Sequence, residues 1–263
     1  MSSPSYYKRV RPLVSRPGGK SRMVKFIMPI LNKTPHKLYC EPFAGGAAIL
    51  LATPPGKREI INDLDNELIN LYRQVKHHRQ EVIRSLRLLP ESRELFEEQM
   101  SKIRDPYVTE IQKAAAFAYV NFYCFGADNK TFGIKRIGFS TRSFLDRKLI
   151  EFSKRIDRVT VEHVSWERCI ALYDCPEALF FCDPPYTKCG QIGAYDAWTT
   201  EDVIKLHDTL SNIKGRWIVT LNDCEENRDI FKGCLIRSIT TTAEMRKKTK
   251  PGSTFKEIII QPR

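Results

Sequence analysis

The sequence predicts an α/β fold, a doubly wound sheet that is mainly parallel with an antiparallel edge and carries a helical insertion. Three observations predict it. Short apolar runs of strand length alternate with amphipathic helical patterns at both ends of the chain, and such alternation implies a parallel sheet covered on both faces. A glycine turn and an acidic residue follow the first two runs, where open α/β sheets bind ligands. In the middle of the chain the alternation gives way to helix-type spacing alone.

Met23, Phe26, Ile27, Ile30 and Leu31 form one apolar stripe at helical spacing. Residues 37–41 read as a short strand, with Pro42-Phe43-Ala44-Gly45-Gly46 as its turn. A short helix over 47–52 is ended by Pro54 and Pro55. Residues 58–62 form a second strand, and Leu64, Leu68, Leu71, Tyr72 and Val75 mark the helix after it. From about 77 to 125 the pattern is helical throughout. Residues 126–143, polar and basic with glycines, suit a surface loop or hairpin. Leu145, Leu149, Phe152 and Ile156 restart a helix. Strands are expected over 159–164, 179–182, 217–221, 235–240 and 257–260. A helix over 200–212 is expected to be capped by Thr200, with Glu201 and Asp202 in its first turn. The last two strands follow each other without a helix, hence the antiparallel edge. The expected organisation is a catalytic core of residues 1–76 and 144–263, interrupted by an insertion over 77–143.

Of the 263 residues, 43 are Lys or Arg and 31 are Asp or Glu, a net charge of +12. A basic excess of this size favours a polyanionic partner such as nucleic acid. No run is apolar for the roughly 20 residues a membrane helix needs, so no membrane partner is expected. The basic N-terminus lacks the apolar core of a signal peptide. None of the eight cysteines forms a C-x-x-C pair. They read as reduced, mostly buried thiols of a cytoplasmic protein. The five histidines do not join cysteines at zinc spacing, so no metal is expected.

Three segments carry chemistry. In Glu41-Pro42-Phe43-Ala44-Gly45-Gly46 the glycines let backbone approach a ligand closely, although a plain tight turn would use them too. In Asn62-Asp63-Leu64-Asp65-Asn66, Asp63 directly follows a strand, where an acid can bind both hydroxyls of a ribose, while Asp65 suits a helix cap. The most specific segment is Asp183-Pro184-Pro185-Tyr186, directly after Leu179-Phe180-Phe181-Cys182. Proline cannot continue a central strand. The chain must therefore leave the sheet there, delivering an acid and an aromatic ring into the ligand crevice.

These segments, with Arg16-Pro17-Gly18-Gly19-Lys20 before them, resemble in kind and order the Dam-type, D12-class family of DNA adenine methyltransferases. The resemblance implies a Rossmann-like methyltransferase sheet, S-adenosylmethionine as cofactor, double-stranded DNA as partner, and a cytoplasmic protein encoded by a bacterium or phage. It implies that Arg16, Gly19, Lys20, Glu41, Phe43, Gly45, Asp63 and Asp183 form the cofactor site, with Lys20 near the methionine part and Asp63 on the ribose. Asp183, Pro184, Pro185 and Tyr186 would form the catalytic turn. An aromatic residue often stands in the family where this chain has Arg16. The Asn-Arg-x-Gly-x-Asn-Gly pattern usual in Dam enzymes appears as Asn121-Phe122-Tyr123-Cys124-Phe125-Gly126, so the family's GATC target is not carried over.

On this reading the Asp183 carboxylate and the Pro184 carbonyl accept the two hydrogens of an adenine amino group. Tyr186 stacks on a base flipped from the duplex, and Tyr195 helps close over it. Asn129, Lys130, Lys135, Arg136 and Arg142 are the candidate DNA contacts. Arg246, Lys247, Lys248 and Lys250 are a second basic cluster, as readily a solvated surface. Two other classes stay open from sequence: amino methylation of cytosine, an RNA base or a protein glutamine, and a catalytically silent DNA-binding protein.

Overall fold

The computed structural model describes residues 7–16, 18–125, 129–133, 141–186, 198–242 and 254–263. Among these, seven strands form one sheet: β1 (Leu38–Glu41), β2 (Arg58–Asn62), β3 (Thr160–Glu162), β4 (Ala178–Cys182), β5 (Arg216–Asn222), β6 (Leu235–Thr242) and β7 (Thr254–Gln261). Their order is β3-β2-β1-β4-β5-β7-β6. The first five in that order pair in parallel, and β7 pairs antiparallel with both β5 and β6. This is the doubly wound sheet with an antiparallel edge that the sequence predicts. The order reverses between β1 and β4, the switch point where such sheets bind ligands beyond the strands' carboxyl ends.

The strands divide their side chains between two cores with period two. Tyr39, Ile61, Leu179, Phe181, Ile218 and Ile259 face one cluster. Cys40, Ile60, Phe180, Cys182, Val219 and Ile260 face the other. Every residue of β4 is buried, which is why its sequence is a continuous apolar run with no polar alternation.

The first cluster is covered by α1 (Val24–Lys33), α2 (Asn66–His77), α3 (Arg79–Arg87), α4 (Arg93–Lys102), α5 (Glu110–Tyr123) and α6 (Thr141–Ile156). The second is covered mainly by α7 (Trp166–Tyr173) and α8 (Thr200–Ser211), with a short α9 (Glu225–Ile230) beside them. Residues 114–123 of α5 are all buried, since the helix is apolar on every side and lies inside its layer. Thr109 and Gln112 form a reciprocal cap at its start. The helices of the middle segment thus share one continuous core with α1, α2 and α6.

Several local expectations need correction. Thr199, not Thr200, caps α8, because Asp202 lies three residues beyond it and closes a capping box with it. α6 begins at Thr141, so the segment expected to be a loop as far as 143 ends earlier. α7 and α9 were not expected; both are short, with few periodic positions. Among the described residues six cysteines are free thiols, but Cys224 is disulfide-bonded, against the expectation of reduced thiols.

Candidate active site

The carboxyl ends of β1, β2 and β4 meet in one crevice wall, built mostly from side-chain bonds to backbone. At the end of β2, Asn62 is fully buried and joins three loops. Its amide nitrogen donates to the carbonyls of Pro42 (2.9 Å) and Val164 (3.0 Å), and its oxygen accepts from the Val164 amide (2.9 Å). The turns after β1, β2 and β3 are thereby fixed to each other. The sequence shows Asn62 only as the polar end of a strand, and the bonds that give it a role are long-range.

Asp63 follows. Its carboxylate accepts the Gly45 amide at 2.8 Å and the Asp65 amide at 3.0 Å. Burial raises its pKa against those bonds. Gly45 has φ +47°, the left-handed region that glycine tolerates, and a Cβ there would meet nothing within 4 Å. The fully buried Tyr72 of α2 donates to the Gly45 carbonyl at 2.5 Å. Asp65 caps α2 by accepting the Leu68 amide at 2.9 Å, as expected of it. Arg16 forms an ion pair with Asp65 and lies over the Phe117 ring, 5.7 Å from its centroid.

Glu41 ends β1 and is buried. Its Oε1 accepts the Tyr39 hydroxyl (2.9 Å) and the Leu50 amide (2.7 Å). Burial pushes its pKa up to about 8 despite these donors. Phe43 joins Trp166 and Trp198 in an aromatic group, with ring centroids 5.9 and 5.4 Å from it. Gly19 is exposed; its amide donates to the Arg16 carbonyl at 3.1 Å.

Asp183 leaves the end of β4. Its Oδ1 accepts the Thr220 hydroxyl at 2.7 Å and pairs with the Lys20 ammonium at 2.9 Å. Lys20 is 5% exposed and also reaches the Gly18 carbonyl (3.0 Å) and Glu257 (3.3 Å). Its three N–H donors therefore match three acceptors. In this arrangement Lys20 holds the turn that begins at Asp183, and contact with a cofactor through Lys20 requires an exchange of partners. Burial raises the Asp183 pKa, and Lys20 and Thr220 hold it back. Burial alone would lower the Lys20 pKa, but the two carboxylates raise it. Tyr186 donates to Glu257 at 2.5 Å, and Lys20 lies over its ring, 4.5 Å from the centroid. Pro184 is buried and Pro185 half-buried between them. Thr220 and Glu257 were missed from sequence; the only signals were a polar residue inside an apolar run, Thr220, and an acid directly before one, Glu257.

Asn129, at φ +55°, accepts from the Asn121 amide at 2.9 Å. Asn121 also exchanges bonds with the Ser15 backbone, at 2.8 and 3.0 Å. The middle segment is thus tied to the residue before Arg16. Lys130 is exposed. Lys135, Arg136, Tyr195, Arg246, Lys247, Lys248 and Lys250 lie outside the described residues, as does the side chain of Arg142. Among the described residues no group of three or more His, Cys, Asp or Glu side chains could hold a metal ion, and no helix is long and apolar enough to cross a membrane.

Residues 17–247 match the family model of the D12 class N6 adenine-specific DNA methyltransferases. The chain is 26% identical over 275 residues to the type II methyltransferase M1.LlaDCHI of Lactococcus lactis subsp. cremoris, covering 95% of each protein. It is 26% identical to the type II methyltransferase M.MjaIII of Methanocaldococcus jannaschii, covering 73% of this chain and 75% of that one. It is equally identical to the DNA adenine methylase of Escherichia coli K12, covering 73% of this chain and 71% of that one.

Proposed function

The chain belongs to the D12 class N6 adenine-specific DNA methyltransferase family, and from that premise we propose that it moves a methyl group from S-adenosylmethionine to the exocyclic amino group of adenine in DNA after the base leaves the duplex. The observation that carries this reading is Asp183 at the end of the buried strand β4, one oxygen engaged by Lys20 and Thr220.

The crevice suits this cofactor. Open space faces Gly45, and the half-buried ring of Phe43 lies beside Trp166 and Trp198. When bound, the cofactor supplies an electrophilic methyl group. Asp63 would take the ribose, Phe43 and Gly45 would lie along the nucleoside, and Arg16, Gly19, Lys20 and Glu41 would frame the remainder.

The adenine amino nitrogen is a poor nucleophile because its lone pair is conjugated with the ring. The Asp183 carboxylate and the Pro184 carbonyl accept its two hydrogens and draw it toward tetrahedral geometry, freeing that pair. As the N–C bond forms, the bond between the methyl group and the cofactor's sulfur would break, its electron pair going to the sulfur to leave a neutral thioether, and the cationic nitrogen would lose one N–H proton toward Asp183. Such catalysis rests on position and electrostatics. Tyr186 stacks on the flipped base. Asn129, Arg136 and Arg142 read the DNA sequence, Lys130 and Lys135 contact its phosphates, and the protein works in the cytoplasm of a bacterium or of a phage's host. Sequencing DNA from cells that express the chain tests the reading. Methylated adenines in a fixed sequence context are expected, and unmodified adenine throughout would overturn it.

A further inference from the structure

Glu257 lies within β7, directly before its buried apolar run. Ile258, Ile259 and Ile260 beside it are at most 1% exposed, and its own side chain is 12% exposed. A carboxylate so enclosed costs stability unless it is paired. Its partners are two residues of the catalytic crevice, the Lys20 ammonium at 3.3 Å and the Tyr186 hydroxyl at 2.5 Å. β7 runs antiparallel between β5 and β6, and its register sets Glu257 opposite Asn222, two residues beyond the Thr220 that bonds Asp183. The reversed strand thus delivers an acid to the carboxyl edge of an otherwise parallel sheet.

We propose that Glu257 is a positioning residue for methyl transfer: it fixes the Tyr186 ring as the platform for the target adenine and shares the Lys20 ammonium with Asp183. The inference rests on the adenine-methylation reading given above. Lys20 covers one face of the Tyr186 ring at 4.5 Å, so a planar base stacks on the other. Glu257 holds the hydroxyl and so fixes the direction of the ring's long axis, while Lys20 against its face sets the tilt. The ammonium divides its donors between Gly18, Asp183 and Glu257. Without Glu257, one donor is released to compete with the adenine amino group for Asp183. Both effects fall on the geometry of transfer and leave the turns after β1 and β2 untouched.

A double-mutant cycle tests this. Wild type, Glu257→Ala, Tyr186→Phe and the double variant are compared in single-turnover methyl transfer to unmethylated plasmid DNA with labelled S-adenosylmethionine. Glu257→Ala should slow transfer by about 100-fold, the cost of a small misplacement, while cofactor affinity changes by less than about threefold, well under one hydrogen bond to a charged group. The double variant should be no slower than Glu257→Ala, because the hydroxyl then has no partner left to lose. Glu257→Gln keeps an acceptor for the hydroxyl but loses the charge facing Lys20, and should fall between wild type and alanine. Losses that multiply in the double variant, or a cofactor affinity that falls as far as the rate, would overturn the inference. If the alanine variant does not fold, Glu257→Gln decides: a wild-type rate overturns the inference, and a slowed rate with unchanged melting temperature and cofactor affinity supports it. Absence of methylation by the wild type would overturn the functional reading and this inference together, whereas a wild-type rate in the Glu257 variants would overturn this inference alone.

Discussion

At the start of β2, Glu59 meets Arg155 of α6; at the opposite, carboxyl edge of the sheet, Asp183 and Glu257 meet Lys20. Both clusters are buried and ionic, but they are built differently. Arg155 holds both Glu59 oxygens, at 2.7 and 2.8 Å, and also reaches the Leu50 carbonyl at 2.7 Å. Its charge is balanced one for one, and the two side chains are 2% and 5% exposed. Lys20 instead serves two carboxylates, and Asp183 keeps 19% of its side chain exposed. A balanced, bidentate and enclosed pair holds an element to the sheet. A cluster in which one ammonium serves two carboxylates, one of them still partly exposed, leaves an acceptor that can exchange partners. Burial alone does not separate structure from chemistry here; the charge balance and the remaining exposure do.

If that distinction is right, changes at one cluster should cost rate and changes at the other should cost stability. The largest effect is expected for Asp183→Ala, with transfer falling roughly 1000-fold or more while the melting temperature stays near wild type. Normal turnover by that variant would remove the proposed chemistry. Arg155→Met should destabilise the fold by about 3–5 kcal/mol in urea unfolding, because it leaves the Glu59 charge buried and unpaired. Adding Glu59→Leu should restore much of that loss, and the transfer rate of the folded protein should be unchanged. A rate defect in Arg155→Met at full folding would break the comparison.

Glu41 sharpens the comparison through pH. Its pKa is pushed up to about 8, so the folded state keeps a proton that the unfolded chain loses near pH 4.3. This contribution is fully present below the unfolded value and is lost as pH rises through about 8. Glu41→Gln mimics the protonated acid at every pH. It should flatten the fall in stability between those values by an amount on the order of a few kcal/mol; an unchanged slope in urea unfolding would contradict the assignment. The smallest effect belongs to Asp63→Ala, which should weaken cofactor binding by about 1.5–3 kcal/mol in calorimetry. Unchanged affinity would leave Asp63 with only its bonds to Gly45 and Asp65.

Most of the sheet was legible because burial writes itself into local pattern. β4 is buried on both faces and reads as an unbroken apolar run; β2 begins and ends where expected. The end of β4 at Cys182 was legible because two prolines must end a strand, and Asp65 because a cap acts over three residues. Thr199 was missed beside Thr200, although the position of Asp202 decides between them. The partners of Lys20 were not legible at all. Glu257 lies at the far end of the chain and reaches Lys20 only because β7 slots between β5 and β6. Local spacing holds no trace of that contact. The same is true of Asn62, whose three bonds join loops distant in sequence.

The most direct test of the central claim is chemical identification of the product. The purified protein would be incubated with unmethylated DNA and S-adenosylmethionine carrying a labelled methyl group, the DNA digested to nucleosides, and the label located by mass spectrometry. The account predicts label in N6-methyladenine for wild type and none above background for Asp183→Ala. Label in methylated cytosine, equal labelling by both proteins, or transfer only to RNA or protein would contradict it.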